Sequence, residues 1–145
     1  MRKILLALIV SFVIHSLNAQ NTEKITVMGN TYTVSKAFPK EIIGEYTYEG
    51  NGGAPKVLLN QDGSGYFQPH DVAPVKIKFW IDCEPNGDLR KQIGGNGRYQ
   101  YTLIIQYLEG GTSKNYEYGK YDLMGVTIVT DMGRAVILGE RYKSL

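Results

Sequence analysis

Hydrophobic and polar residues alternate with a period of two over much of this chain. Val75, Ile77, Phe79, Ile81 and Cys83 fall on one side of a segment whose other side carries Lys76, Lys78, Trp80 and Asp82. Further on, Tyr99, Tyr101, Leu103, Ile105 and Tyr107 alternate with Arg98, Gln100, Thr102, Ile104 and Gln106. Successive side chains of a strand point to opposite faces, so both segments read as strands with one face in a core and one toward water. Shorter runs rich in Val, Ile, Thr and Tyr, over 25–28, 31–34, 43–49, 55–60, 65–68, 88–93, 115–123 and 126–130, read as strands as well. A short helical turn fits within 35–42. The final run, 134–142, reads as one strand. Its residues Ala135, Val136, Ile137 and Leu138 are apolar on both faces, which predicts cover on both sides, with the N-terminal hairpin as the candidate cover.

The punctuation between these runs is turn chemistry. Gly29-Asn30, Gln61-Asp62-Gly63-Ser64, Gly94-Gly95-Asn96-Gly97, Gly110-Gly111 and Met132-Gly133 supply residues that tolerate positive φ. Asn86-Gly87 favours a type I′ hairpin turn. Tight turns set each strand beside the one before it, so an antiparallel up-and-down meander is the economical topology. Nine or ten strands with one continuous apolar side predict an all-β fold closed into a barrel, with a β-sandwich as the alternative. Closure removes exposed strand edges. No linker or shift in composition divides 20–145, which is expected to be a single domain.

The first nineteen residues read differently. Arg2 and Lys3 precede an apolar run from Ile4 to Ile14, and a small residue, Ala19, ends the segment. That is the layout of a cleavable export signal over 1–19, too short in its apolar part to span a bilayer. No cysteine follows it for lipid attachment, so an exported, untethered protein is expected, periplasmic or secreted. The whole chain has sixteen basic and fourteen acidic residues, and removing 1–19 leaves the two signs balanced. No block of like charge remains in the sequence, which argues against nucleic acid and against a stable membrane anchor. Cys83 is the only cysteine, so no internal disulfide forms, and its apolar surroundings predict a buried thiol.

Gly44-Glu45-Tyr46 opens a strand just after the short 39–42 segment, and Leu59-Asn60-Gln61-Asp62-Gly63-Ser64-Gly65-Tyr66-Phe67 forms an Asp-Gly hairpin. The first resembles the Gly-x-Trp opening of lipocalin-like barrels, with Tyr in place of Trp. The second is similar to hairpins of small exported lipocalin-like domains of Bacteroidota, a group that a leader ending in Ala-Gln also fits. The resemblance implies an up-and-down barrel with a mouth for an apolar ligand. It also implies a structural pair in which Gly44 starts the strand and Arg141, on the last strand, packs over Tyr46.

Few residues offer chemistry. Asn60–Ser64 looks like half of a calcium loop, but one carboxylate without a closing Glu reads as a hairpin turn. His70-Asp71 could pair a base with a carboxylate, yet neighbours on a chain diverge and no nucleophile is tied to them by spacing. The glycines at 94–97 precede no helix and make no phosphate cradle. No catalytic or metal site is expected, and no cofactor. The tyrosines stand out instead. Tyr46, Tyr48, Phe79, Tyr99, Tyr101 and Tyr107 are either core packing or the lining of a ligand cavity, since rings with a few polar tips build both. Trp80, on the polar side of its strand, is either covered by another segment or part of an interaction surface. The expected function is therefore a non-enzymatic, exported barrel that binds a small apolar ligand on its axis. The alternative is a protein-interaction or inhibitor module acting through Trp80, with a partner the sequence does not name. A barrel filled by its own side chains would favour that alternative, and an empty cavity of several hundred Å³ would favour ligand binding.

Overall fold

The structure, a computed structural model, describes residues 22–50, 55–109 and 114–144. The expected export signal at 1–19 lies outside these residues, as does the Gly110-Gly111 turn. Among the described residues eleven strands run in order: β1 Thr22–Val27, β2 Asn30–Ser35, β3 Gly44–Tyr48, β4 Lys56–Leu59, β5 Ser64–Gln68, β6 Val75–Asp82, β7 Lys91–Gly94, β8 Arg98–Tyr107, β9 Tyr121–Val129, β10 Arg134–Ile137 and β11 Glu140–Ser144. All pairings are antiparallel. Eight strands, β3-β4-β5-β6-β8-β9-β10-β11, form an up-and-down meander. It closes on itself where β11 pairs with β3, Tyr142 opposite Tyr48 and Ser144 opposite Tyr46. The all-β barrel expected from the alternation is what the chain forms.

The other three strands are additions. β7 pairs with the first half of β8, and β6 pairs with the second half, so β8 is long enough to serve both. The β1–β2 hairpin joins β6 through only Val34↔Asp82 and Ser35↔Ile81, past the end of β5, and then lies against the outside of the barrel.

Turn chemistry accounts for several departures from the sequence reading. The first hairpin turns at Met28-Gly29, not Gly29-Asn30, and both residues have positive φ, 50° and 84°. Leu138-Gly139 repeats this geometry at 51° and 84°, which splits the expected final strand into β10 and β11. Positive φ at both central residues matches the right-handed twist of flanking strands, and here exposed Met28 and Leu138 accept the strain. Asn86-Gly87 does not adopt this form. Gly87 N–H donates to Glu84 O and only Gly87 has positive φ, so the loop is the three-residue kind. The two strands expected over 115–123 and 126–130 are instead a 3₁₀ turn at Lys114–Tyr116 and one strand, β9.

Two apolar clusters result. The inner one fills the barrel with Ile42, Tyr46, Val57, Leu59, Ile77, Phe79, Ile81, Tyr101, Leu103, Met124, Val126, Ile137 and Tyr142, among others. The outer one lies under the hairpin and gathers Ile25, Val27, Val34, Trp80 and Ile104. The N-terminal hairpin therefore covers β6, β8 and β9, not the last strand. Val136 is only half-buried and Leu138 is exposed.

Candidate functional site

The tyrosines expected to line one cavity divide between the two ends of the barrel. At one end a 3₁₀ turn, Lys40–Ile42, acts as a plug. The Tyr46 hydroxyl donates to Ile42 O at 2.9 Å, and the Tyr101 hydroxyl donates to Glu41 Oε1 at 2.7 Å. Phe38 and Phe79 pack beneath, ring centres 4.5 Å apart. Gly63 closes over them at φ 82°, where a Cβ would press on Phe79 O at 3.1 Å and on the Phe38 ring at 3.2 Å. Gly44, which starts β3 beside the plug, has φ 151°, a conformation L side chains rarely adopt. Burial, with the Glu41 charge beside it, pushes the Tyr46 phenol up to about 12. Burial and the bond to Glu41 also raise Tyr101 well above the ordinary phenol range. Tyr99 sits half-buried at this rim, 5.6 Å under the Lys91 ammonium.

Tyr48 and Tyr107 belong to the opposite end. Tyr107 packs edge-on against Tyr116 at 5.4 Å. The Tyr48 ring meets the His70 ring edge-on at 4.9 Å and Tyr142 at 5.9 Å. His70 Nε2 lies 2.8 Å from Glu140 Oε1, and the Tyr142 hydroxyl donates to Glu140 Oε2 at 3.3 Å. Burial first, then nearby carboxylates, holds the Tyr107 and Tyr142 phenols in their neutral forms beyond the usual pH.

Between the two ends the axis is occupied by side chains. Ile42, Val57, Leu59, Ile77, Phe79, Ile81, Leu103, Met124, Val126 and Ile137 present no surface that a water molecule could touch. A cavity big enough for water would leave its lining partly accessible, so the barrel core is close-packed along these residues. The expected ligand residues are thus core residues here, joined to plug and rim, and they do not converge on one opening.

Two further expectations are corrected by strand alternation. Tyr142 points inward, so Arg141 points outward and lies exposed on the outer wall, beside Glu49, while the buried Tyr46 stands opposite Ser144. Its guanidinium does not pack over that ring. Trp80 does point outward, but the β1–β2 hairpin covers it, leaving it 3 % exposed, and its Nε1 donates to Glu23 Oε1. The interaction surface expected there is the inside of a small core. Cys83 is fully buried, and burial first, then the Asp82 charge, raises its thiol above the ordinary value. Asp62 accepts from Ser64 N and Oγ, at 2.9 and 2.6 Å, as a turn residue.

What the sequence reading missed lies on the outer face of β8–β11. Register places Arg98 opposite Val129 and Val129 opposite Arg134; the next row sets Thr127 opposite Val136 and Val136 opposite Arg141. These residues line a groove of about 320 Å³. Its floor is Val129, Val136 and Thr127; its rim is three arginines, with no carboxylate among the lining residues. Arg134 Nε is 2.8 Å from Glu49 Oε1. Arg98 and Arg141 have no ion-pair partner among the described residues. Sequence spacing did contain a signal. Had the turn been set at Leu138-Gly139, pairing across it would have put Val136 beside Arg141.

Two other hollows carry less. One of about 430 Å³ has Asp82 and Glu84 at its edge, but both carboxylates already bind Arg90. Another of about 280 Å³, over Leu58, Tyr66 and Pro74, has Glu45 and Lys56 paired with each other at 3.8 Å. No family model matches this chain, and neither a curated protein nor a solved structure does.

Proposed function

We propose that the protein is an exported, non-enzymatic binding protein built on a lipocalin-like barrel, and that it takes a small ligand on its outer wall. The reading rests on one contrast. The axis, where such a barrel would hold a ligand, is close-packed with its own side chains, while the outer face of β8–β11 has a groove of about 320 Å³ over an apolar floor. That volume falls within the roughly 300–1,000 Å³ of small-molecule sites. The strands beneath form part of a closed sheet, so the floor is rigid and the recognition falls to side chains. Burial of Trp80 leaves the protein-interaction alternative without its proposed surface.

Methyl NMR of the labelled protein, titrated with small aliphatic and aromatic compounds, tests this. Shifts at the Val129 and Val136 methyls are expected. Shifts confined to Ile77, Leu103 and Ile137, with the outer wall silent, would return the ligand to the axis and overturn the reading.

A further inference from the structure

We infer that the outer groove selects an amphiphile with a single anionic head, a carboxylate, sulfate or phosphate, and a short apolar body. The inference rests on the outer-wall reading above and specifies its ligand. The apolar part is fixed by the floor. Val129 and Val136 lie on adjacent strands, about 5 Å apart in the hydrogen-bonding direction, and both face outward. At the roughly 30 Å³ a water molecule occupies in the liquid, the groove holds on the order of ten non-hydrogen atoms. An eight-carbon chain with a head group is of that size.

The head is fixed by charge. Arg98 and Arg134 stand on either side of Val129, two strands apart and therefore roughly 10 Å between backbones. Arg141 stands diagonally from Arg134 on the next strand, about 7–8 Å away. A guanidinium presents a planar fork that suits the two oxygens of a carboxylate, sulfate or phosphate. Arg134 is already held by Glu49, which leaves Arg98 and Arg141 as the free forks. No carboxylate on the lining competes with an incoming anion. A neutral ligand would leave this charge unanswered.

The surface also disfavours an extended peptide. β9 is paired on both sides, with β8 and β10, and β10 with β9 and β11, so no backbone donor or acceptor is free for strand addition here. The groove's own lining carries three arginines, one of them ion-paired, with Lys143 beyond it opposite Arg134; two free forks on the lining suit one head group better than a broad anionic surface.

Calorimetry with octyl sulfate, octanoate, octanol and acetate tests the inference, with NMR reporting where each binds. Octyl sulfate and octanoate are expected to bind at the Val129 and Val136 methyls at least tenfold more tightly than octanol, and acetate not measurably. Combined Arg98→Gln and Arg141→Gln should remove that preference while octanol binding and the unfolding midpoint stay unchanged; both arginines are exposed, so the variant folds. Glu49→Gln, which frees Arg134, should strengthen octanoate binding by roughly threefold, the weight of a partly exposed ion pair. A loss of fold cannot mimic that gain. Equal binding of octanol and octanoate, or anion binding indifferent to the two arginines, would overturn the inference and leave the groove as an apolar site. Silence of the groove methyls toward every compound would remove the outer-wall reading itself. Co-sedimentation with phosphatidylglycerol vesicles, without binding of monomeric octyl sulfate, would overturn the inference in favour of a membrane surface.

Discussion

The barrel axis and the patch under the N-terminal hairpin are both apolar cores, but they are held by different means. The inner core is enclosed by eight strands, each paired on both sides, and by a plug bonded to two buried phenols. The outer core has the barrel wall beneath it and one hairpin above, tied to β6 through two residue pairs and a Trp80–Glu23 bond. Removing a side chain from the first leaves a hole that nothing can fill. Removing one from the second weakens the docking of a flap. The lesson is that equal burial does not mean equal cost: what matters is how much of the structure must move for a core to open.

Four measurements sharpen that difference. The largest effect is expected from Tyr101→Ala, which empties a 1 %-exposed position and frees Glu41. It should cost about 3–5 kcal/mol, as aromatic truncations in close-packed cores do, seen as a lower denaturant midpoint for the whole barrel. A loss under 1 kcal/mol would mean that the axis is not close-packed.

Alkaline pH should also act on the inner core. Tyr46, Tyr101, Tyr107 and Tyr142 all belong to it, and all have phenols raised above the ordinary value near 10. Folding therefore favours the protonated form. That contribution is complete below pH 10 and is lost as pH rises through about 12, the value for Tyr46. At most about 1.4 kcal/mol is lost per pH unit for each such phenol. Urea titrations between pH 8 and 11.5 should show the decline begin near 10, and flat stability to 11.5 would contradict the burial of these hydroxyls.

A smaller and more local change is expected from Val34→Ala, which thins the outer core. Trp80 is the only tryptophan and lies between β6 and the hairpin, so its emission reports the opening of the outer core. The midpoint followed by tryptophan emission should fall, by about 2 kcal/mol, while the midpoint followed by the β-sheet circular dichroism signal stays. Coincident shifts would make the hairpin and barrel one cooperative unit. The smallest effect belongs to Arg141→Ala. As an exposed residue on the outer wall it should change stability by no more than about 0.5 kcal/mol. A larger loss would revive a structural role for its guanidinium.

The same contrast explains what could be read from the sequence. Alternation over 75–83 and 98–107 identified the inner face, because a buried strand face repeats every second residue whatever the rest of the chain does. The plug, the Asp62-Gly63 turn and the burial of Cys83 follow from equally local chemistry. The outer core could not be read that way. Trp80 and Ile104 sit on strand faces that are otherwise polar, and their cover comes from β1 and β2, more than forty residues before Trp80 in the chain. The groove was hidden for a different reason. Leu138 is a poor residue for positive φ, so Gly139 alone was a weak mark of the β10–β11 turn, and without that turn Arg134 and Arg141 had no register. The six aromatic residues were placed on the core side, but alternation says nothing about position along the axis, and they divided between two ends.

The seam between β3 and β11 sets an order of events. Tyr46 pairs with Ser144, roughly one hundred residues later in the chain, and no other pairing closes the ring. Every other wall of the barrel joins segments close in sequence and can form early; this one cannot form until β11 has arrived. Loop closure over that span costs on the order of 4 kcal/mol of chain entropy, recovered only when Tyr142 and the plug enter the core. A chain emerging from the ribosome N-terminus first would therefore stay open until β11 had emerged, and the ring would snap shut only then.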